Sequence, residues 1–491
     1  MNLEHVKYFS RKLIIGISTL VFISSCGGSD SDSGVGQIQL YNVAANSPSI
    51  FLTVGKDDDD DFNEAQHSGV KFPSTGGQFD YIEDTYDIDL SWQDEDDISD
   101  LEIIYESTIT ISSDTISFLV FAEDINSPNV LKFDIPIVDD EDDDDDELFN
   151  LRILNMHTMT EGADIYYSES DETFEQAILL GHFNYTEMSD NQKIEQDDYV
   201  FYITRGGSSE VVYRSNEITF STTTQFIMAI RENTGAGDSP FVLDRVSNTI
   251  NEHSDADAQS KLRIYNGIVK HELIPNYTGT IDFHLDGFDD TPEISSLVFG
   301  EYSDSTLTDF GDYSISVAIP DNTELLIENH LLTLDTNSDK TVFFYLLEEA
   351  VDDDDDGDVD ENGDGEVDEY EITTNTLVVE NSQNQSIRDH QINIINLIDD
   401  FDNVRVFFVL SDETTETASN KATAIFAKPN SVTLRNNTYN VFIIGKEDTS
   451  DLILTTMSIT LNEETSELFL VLEENEDTVS GYQMFISNQR G

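Results

Sequence analysis

Short stretches in which apolar and polar residues alternate recur along the whole chain. In a representative stretch, residues 218–221 alternate, residues 222–225 form a polar turn, and the more apolar residues 226–230 follow. Successive side chains of a strand point to opposite faces, so this pattern, rich in Thr, Tyr, Phe, Ile and Val, predicts β-strands. Polar turns join the stretches. The chain is therefore predicted to be all-β, with antiparallel sheets throughout.

Two short motifs recur in register and divide the chain into four units. The first is a strand that ends in an asparagine, and the second begins with a tyrosine 44, 44, 47 and 43 residues later. The four pairs are Asn42 and Tyr86, Asn155 and Tyr199, Asn266 and Tyr313, and Asn396 and Tyr439. The asparagines lie 113, 111 and 130 residues apart, and the longest interval contains an acidic insertion at residues 352–371. Without that insertion the period is about 110 residues, the size of an immunoglobulin-like β-sandwich.

The periodicity sets the predicted domain boundaries. We expect a tandem array of four immunoglobulin-like antiparallel β-sandwich domains, arranged as a rod, in which each motif tyrosine has its ring in the core and its hydroxyl on a nearby backbone group. The predicted segments are a signal peptide (1–25), a tether (26–36), repeat 1 (37–147), repeat 2 (148–259), repeat 3 (260–388) and repeat 4 (389–491).

The first 25 residues have the three zones of an export signal. A basic stretch with Lys7, Arg11 and Lys12 precedes an apolar run at residues 13–23, which is too short for a membrane-spanning helix. The run ends in Ile-Ser-Ser-Cys, which resembles the lipobox of bacterial lipoproteins. Cys26 is the only cysteine of the chain, so an internal disulfide is excluded and acylation explains its position.

This resemblance implies an address in the cell envelope. The lipid on Cys26 would anchor the protein to a membrane, and residues 27–34, rich in Gly, Ser and Asp, would form a flexible tether. In bacterial lipoproteins an aspartate directly after the cysteine favours retention in the inner membrane. Gly27 stands there, which favours the outer membrane and leaves the leaflet open.

The net charge excludes one class of partner. The chain has 23 Lys and Arg against 101 Asp and Glu, a formal charge of −78. Such a charge repels nucleic acid, which is therefore excluded as a partner. Because 38% of the residues are hydrophobic and 10% are aromatic, we expect folded domains with acidic surfaces rather than a disordered chain.

Repeats 2 and 3 open with a strand of the form Arg-aliphatic-x-Asn, followed by a strand that contains an aspartate. The segments are 152–155 with 163–166, and 263–266 with 281–284. They resemble a family of bacterial envelope lipoproteins with repeated immunoglobulin-like domains of unknown function. Repeat 1 lacks the aspartate strand, and repeat 4 has Val-Arg-Val-Phe at 404–407. The resemblance implies a fold and brings no catalytic residues.

The acidic insertion contains a twelve-residue calcium loop. Oxygen atoms at loop positions 1, 3, 5, 7 and 9, with a bidentate glutamate at position 12, surround the ion, and Gly365 makes the sharp turn. The predicted ligands are Asp360, Asn362, Asp364, Glu366, Asp368 and Glu371. The flanking segments are predicted strands, so bound calcium would order a hairpin loop.

An incomplete second copy overlaps the first. It begins eight residues earlier, and its ligands would be Asp352, Asp354 and Asp356. Overlapping copies of this kind resemble the calcium loops of thrombospondin type 3 and dockerin-like repeats. A solvated acidic tip on a long hairpin is the alternative. The plainer acidic runs at 57–61 and 139–147 lack the glycine and the spacing, and are predicted to be charged loops or linkers.

No enzyme is predicted, because the sequence has no nucleophile elbow, phosphate loop or zinc signature. His271-Glu272 is followed by Leu-Ile-Pro, which does not fit a metalloprotease helix. The favoured function is a lipid-anchored envelope protein that presents its domains for binding or adhesion, to an envelope protein or a polysaccharide. An acidic spacer and an unrecognised envelope enzyme are the alternatives. Exposed aromatic clusters would favour a binding function. A uniformly acidic exterior would favour the spacer, and a cleft with converging carboxylates would favour the enzyme.

Overall fold

Among the described residues, β-strands are the only regular secondary structure apart from one short 3-10 helix, which confirms the all-β prediction. The structure is a computed structural model and describes residues 34–489, except 57–58, 60, 96–98, 139–146, 160, 289–290, 321–323, 352–366, 368, 402, 448–449 and 476. A short 3-10 helix occupies Phe174–Gln176. Within the described residues, no helix has the length and apolarity needed to cross a membrane.

The described residues of repeats 1 and 2 form nineteen strands. Those of repeat 1 are β1 (Val35–Asn42), β2 (Phe51–Gly55), β3 (Ala65–Gln66), β4 (Ser74–Thr75), β5 (Phe79–Ile82), β6 (Asp84–Gln93), β7 (Leu101–Ile111), β8 (Thr115–Ala122) and β9 (Asn129–Pro136). Those of repeat 2 are β10 (Leu148–Asn155), β11 (Ala163–Glu169), β12 (Ile178–Phe183), β13 (Gln192–Glu195), β14 (Asp198–Arg205), β15 (Val211–Arg214), β16 (Ile218–Thr219), β17 (Gln225–Glu232), β18 (Phe241–Val246) and β19 (Ile250–His253).

In repeats 3 and 4, the part of the chain that the structure describes forms eight strands in each. Those of repeat 3 are β20 (Ser260–Gly267), β21 (Thr280–His284), β22 (Ile294–Val298), β23 (Thr306–Thr308), β24 (Gly311–Ala318), β25 (Leu325–Leu334), β26 (Asp339–Ala350) and β27 (Tyr370–Glu380). Those of repeat 4 are β28 (Asp389–Asn396), β29 (Asn403–Val409), β30 (Asn420–Ile425), β31 (Asn430–Arg435), β32 (Asn437–Glu447), β33 (Ser450–Leu461), β34 (Leu468–Glu474) and β35 (Tyr482–Asn488).

Each repeat is a sandwich of two sheets around its own apolar core. In repeat 4 the sheets have the orders β31-β28-β34-β35 and β30-β29-β32-β33. The first strand of every repeat pairs in parallel with a late strand: β1 with β8, β10 with β17, β20 with β26 and β28 with β34. The prediction of antiparallel pairing throughout is wrong at these pairs, because turn patterns describe only strands that follow one another in the chain.

The motif asparagines end their strands through their own side chains. All four are fully buried. In repeat 2, Asn155 Oδ1 accepts the backbone N–H of His157 at 2.9 Å, and Asn155 Nδ2 donates to the carbonyl of Phe183 at 2.8 Å. The same two bonds recur at Asn42, Asn266 and Asn396. The amide therefore replaces the next ladder partner and ties the strand end to a neighbouring segment.

The motif tyrosines have the predicted structural role. Each hydroxyl donates to the backbone carbonyl of the residue four positions earlier, at 2.8, 2.9, 2.7 and 3.1 Å in repeats 1 to 4. Three of the rings are buried, and that of Tyr313 is half-buried. The hydrogen bonds fix the segment that precedes each motif strand against the core.

The repeats pack in pairs, face to face, through the outer faces of the sheets that contain the asparagine strands. An apolar cluster between repeats 1 and 2 joins Tyr41, Phe118 and Val120 to Leu154, Ile227 and Ala229. A corresponding cluster between repeats 3 and 4 joins Tyr265, Phe343 and Val379 to Ile395, Phe469 and Val471. These sheets are consequently covered on both faces.

Polar contacts link the two pairs to each other, so the expected rod is wrong. Between repeats 2 and 3, Asn337 Oδ1 accepts the backbone N–H of Gly237 at 2.8 Å. At the junction of repeats 3 and 4, Arg388 forms an ion pair with Glu95 of repeat 1 at 3.2 Å, and from repeat 4 the guanidinium of Arg435 donates to the side-chain amide oxygen of Gln93 in repeat 1. The face-to-face packing of repeats 3 and 4 has a signal in the sequence. Residues 342–346, Val-Phe-Phe-Tyr-Leu, form a continuous apolar run, which is typical of a strand covered on both faces.

Candidate functional site: an acidic cleft between repeats 3 and 4

Most of the site residues predicted from the sequence lie outside the described residues. This holds for the lipidation site Cys26, for the calcium ligands Asp360, Asn362, Asp364, Glu366 and Asp368, and for Asp352, Asp354 and Asp356. Glu371 is described: it is exposed on β27, opposite Glu349 of β26. The two strands pair up to Ala350 and Tyr370, which confirms that the acidic insertion is flanked by strands.

A cleft opens where four strand ends meet. In repeat 3 the strands β20 and β26 are parallel, and in repeat 4 so are β28 and β34. Face-to-face packing of these two sheets brings the carboxyl ends of all four strands to one corner. The cavity there measures about 420 Å³. Its apolar wall consists of Val269, Phe299, Leu346 and Leu397, and its polar wall includes Lys270, His271, Glu348, Asp399, Glu474 and Asp477.

Gly267 allows the two repeats to approach each other at this corner. A Cβ atom built on Gly267 would lie 2.8 Å from Leu397 Cδ1 of repeat 4 and 2.8 Å from the carbonyl oxygen of Phe344. Any larger residue would therefore push the two sheets apart at the edge of the cleft.

Three carboxylates converge beside the cleft. Oxygen atoms of Asp399, Asp400 and Glu474 all lie within 4.8 Å of one another. The hydroxyl of Tyr482 donates to Asp400 Oδ2 at 2.6 Å, which holds that side chain in place. Burial, followed by repulsion from the two aspartates, raises the pKa of Glu474 to about 8. Without a cation, Glu474 is therefore mostly protonated at neutral pH.

A histidine and a fourth carboxylate extend the cluster across the two repeats. Nε2 of His271 lies 3.0 Å from Glu348 Oε2, and Nδ1 of His271 accepts the backbone N–H of Leu273 at 3.2 Å. When the ring is neutral, Nε2 therefore carries the hydrogen and donates it to Glu348. The backbone N–H of Glu348 in turn donates to Asp399 Oδ2 of repeat 4 at 3.3 Å.

This arrangement suits a hard cation. Calcium prefers six to eight oxygen ligands at about 2.3–2.6 Å, including carboxylates and waters. The three carboxylates of Asp399, Asp400 and Glu474 could supply part of such a shell, and a proton on Glu474 would compete with the ion. A carboxyl group with a raised pKa beside other carboxyl groups is also the kind of group that enzymes use as a general acid.

The replacement Glu474→Gln gives a test of the pKa shift. The ordinary pKa of the group is 4.5 and the folded value is about 8, so the stabilising proton is fully bound below about pH 4.5 and is lost as the pH rises through 8. Glutamine keeps the shape without the charge. In the presence of a chelator we expect wild type and variant to melt together near pH 5, and the variant to melt several degrees higher near pH 9. Melting curves that shift in parallel at both pH values would contradict the assignment.

The sequence does not predict the residues of the cleft as a site. Asp399 and Asp400 follow the motif asparagine of repeat 4 by three and four residues, and Glu474 ends a strand. Nothing distinguishes them among 101 acidic residues. Their one available signal is their position directly after predicted strands. The sequence draws attention to His271 only through the His-Glu pair that fails to fit a metalloprotease helix, whereas the structure places it on the wall of the cleft.

Comparisons with known proteins do not identify a family. No protein-family model matches the chain, and no curated protein matches it. Among solved structures, the Bacillus anthracis TIE protein aligns with 87% of this chain and 69% of its own, at 8% identity and a TM-score of 0.15. The product complex of SpuA, a multi-modular glycogen-degrading pneumococcal virulence factor, aligns with 63% of this chain and 38% of its own, at 9% identity and a TM-score of 0.13. Scores this low support no argument, so fold and cleft define only a multidomain β-sandwich repeat protein.

Proposed function

We propose that the chain is a lipid-anchored protein of the cell envelope that presents four β-sandwich repeats for binding or adhesion and depends on divalent cations, calcium foremost. The observation that carries the proposal is the convergence of Asp399, Asp400 and Glu474 next to a cleft between two repeats. The sequence adds the lipobox ending at Cys26, which supports an outer-membrane anchor.

The cleft and the calcium loop belong to the same hairpin. Strand β26 carries Glu348 on the wall of the cleft and ends two residues before the acidic insertion. The backbone N–H of Val351 donates to the carbonyl of Glu369 at 2.9 Å and closes the base of the loop. Calcium in the loop would therefore stiffen the hairpin that lines the cleft, which supports a cation-dependent binding surface.

Calorimetric titration of calcium into the chelator-treated mature chain tests the cation dependence. We expect binding in the millimolar range that is typical of extracellular modules. Glu474→Gln should remove the heat of calcium binding at the cleft. Asp364→Ala with Glu371→Ala should remove the heat of calcium binding at the loop. Glu210→Gln, an exposed acid in repeat 2, is the matched control for charge. Equal heats in all variants, or no heat in the wild type, would contradict the proposal.

Capture of partners from intact cells, with and without calcium, tests the binding function. A partner retained by the wild type in calcium, and lost with a chelator or with Glu474→Gln, is the expected result. Calcium binding without any retained partner would favour the acidic spacer instead, whose surface collects cations.

One observation favours an envelope enzyme as a second candidate. Glu474, with its pKa of about 8, lies in a cleft with Asp399 and with the His271–Glu348 pair, and such a group could donate a proton to a leaving group. Hydrolysis of envelope polysaccharides by the wild type in excess chelator, lost in Glu474→Gln, would establish this function in place of simple binding.

A further inference from the structure

A second cavity concentrates basic side chains in this acidic chain. It measures about 280 Å³ and lies between repeats 1 and 4, with Lys71, Arg388 and Arg435 on its wall. The whole chain has only 23 lysines and arginines against 101 acidic residues, so three basic residues around one cavity are a marked local concentration of positive groups. The hydroxyl residues Ser49 and Thr433 also line it.

Arg388 is fixed by its neighbours. Its guanidinium carbon lies 4.5 Å from the centre of the Trp92 ring, and NH1 lies 3.2 Å from Glu95 and 3.1 Å from Glu463. These two carboxylates offset its charge. The contribution of Arg388 to the cavity is therefore mainly a rigid wall that joins the two repeats.

Lys71 and Arg435 carry the charge that is not offset. Among the described residues, neither has a carboxylate within ion-pair distance, and NH2 of Arg435 donates to the neutral amide of Gln93. Asp389 also lies on the wall, and Glu95 and Glu463 lie against Arg388, so the three basic side chains at the cavity are accompanied by three carboxylates. An anion would therefore depend on direct contact with Lys71 and Arg435, the two basic groups without an ion-pair partner among the described residues, and not on a net positive charge.

We propose that this cavity binds a tetrahedral oxyanion, sulfate or phosphate, either as the free ion or as an ester on a larger molecule. Arg435 offers a planar set of donors and Lys71 a compact ammonium group, both of which form strong hydrogen bonds with oxyanions. Ser49 and Lys71 come from repeat 1, and Thr433 and Arg435 from repeat 4. The anion therefore bridges the two repeats and stabilises their contact. This inference is independent of the proposed cation site.

Calorimetric titration of the mature chain with sodium sulfate and with sodium phosphate, against sodium chloride at equal ionic strength, tests the proposal. We expect both oxyanions to bind, and Lys71→Gln and Arg435→Gln each to weaken binding by about tenfold or more. Lys71 is exposed, so its variant tests the site without disturbing the interface. Lys428→Gln, an exposed lysine elsewhere in repeat 4, is the control and should bind as the wild type does.

Sulfated dextran, compared with unsulfated dextran, separates the two sources of the oxyanion. Retention of sulfated dextran that is lost in Lys71→Gln supports an ester carried by a polymer, and binding of the inorganic ions alone supports the free anion. Absence of binding by both inorganic ions, or binding of equal strength in wild type and both cavity variants, would overturn the proposal.

Discussion

Replacement of Arg231 by methionine is expected to lower the free energy of unfolding by about 3–5 kcal/mol. The side chains of Arg231 and Asp244 are 3% and 0% exposed. Arg231 Nε donates to Asp244 Oδ2 at 2.8 Å, and the hydroxyl of Tyr41, from repeat 1, donates to the same oxygen at 2.6 Å. Without the guanidinium group, Asp244 would remain as a buried charge between two repeats. Chemical denaturation of the full mature chain measures the loss.

Two further variants separate the buried charge from a general effect of losing an arginine. Burial lowers the pKa of Arg231, but Asp244 and Glu252 more than compensate and raise it, so the group is charged in the folded protein. Arg231→Met combined with Asp244→Leu should recover most of the loss, because the fully buried charge of Asp244 is removed with its partner, while Glu252, the other partner of Arg231, is 35% exposed and stays partly solvated. Arg214→Met, which breaks an exposed ion pair with Asp257, should cost less than about 1 kcal/mol. Equal losses of unfolding free energy for Arg231→Met and Arg214→Met would contradict a buried ion pair at the contact between repeats 1 and 2.

Replacement of Phe343 by alanine is expected to lower the free energy of unfolding by about 3–5 kcal/mol, because it weakens the contact between repeats 3 and 4. Phe343 is fully buried, and its ring centre lies 5.4 Å from that of Tyr265 in repeat 3 and 5.2 Å from that of Phe469 in repeat 4. The variant would leave a cavity in the cluster that holds the two repeats together. Chemical denaturation measures the cost.

The same variant should also weaken calcium binding at the cleft, since the cleft exists only where repeats 3 and 4 meet. Phe310→Ala is the control, because its side chain is 46% exposed and lies away from the interface. Normal stability of Phe343→Ala, or a loss no larger than that of Phe310→Ala, would show that repeats 3 and 4 do not pack through this face.

The sequence predicts the fold of each repeat because the signals are local. Alternation with period two marks the strands, and the asparagine and tyrosine motifs act through bonds to residues nearby in the chain or in the same repeat. The side chain of Asn155, for example, bonds to residues 157 and 183, and that of Tyr199 to residue 195. A motif that acts within one repeat recurs at the period of the repeat, and can be recognised without a structure.

The pairing of repeats could not be predicted in the same way. The residue before the motif asparagine is Tyr41 in repeat 1 and Tyr265 in repeat 3, but leucine and isoleucine in repeats 2 and 4. Each tyrosine donates to a buried acid of the following repeat, Asp244 at 2.6 Å and Glu473 at 2.5 Å. The alternation is visible in the sequence, but its acidic partners are not distinguishable among so many acids.

The same limit applies to the prediction of the candidate sites. The acidic cleft forms where repeats 3 and 4 pair, and the basic cavity forms where the two pairs meet, between repeats 1 and 4, so the residues of both come together only through contacts between repeats whose partners the sequence does not reveal. The calcium loop depends instead on a contiguous motif and could be predicted, although most of its residues lie outside the described part of the chain. The lipid anchor at Cys26 likewise stays a prediction.

Small-angle X-ray scattering of the soluble mature chain tests the central claim, that the four repeats form one packed block with sites at their contacts. Compact chains of this length have a radius of gyration of about 23 Å, and we expect a value below about 30 Å. Four domains of about 110 residues placed end to end would give about 40 Å. The smaller value is the predicted result, and the larger value would contradict the paired arrangement together with both sites.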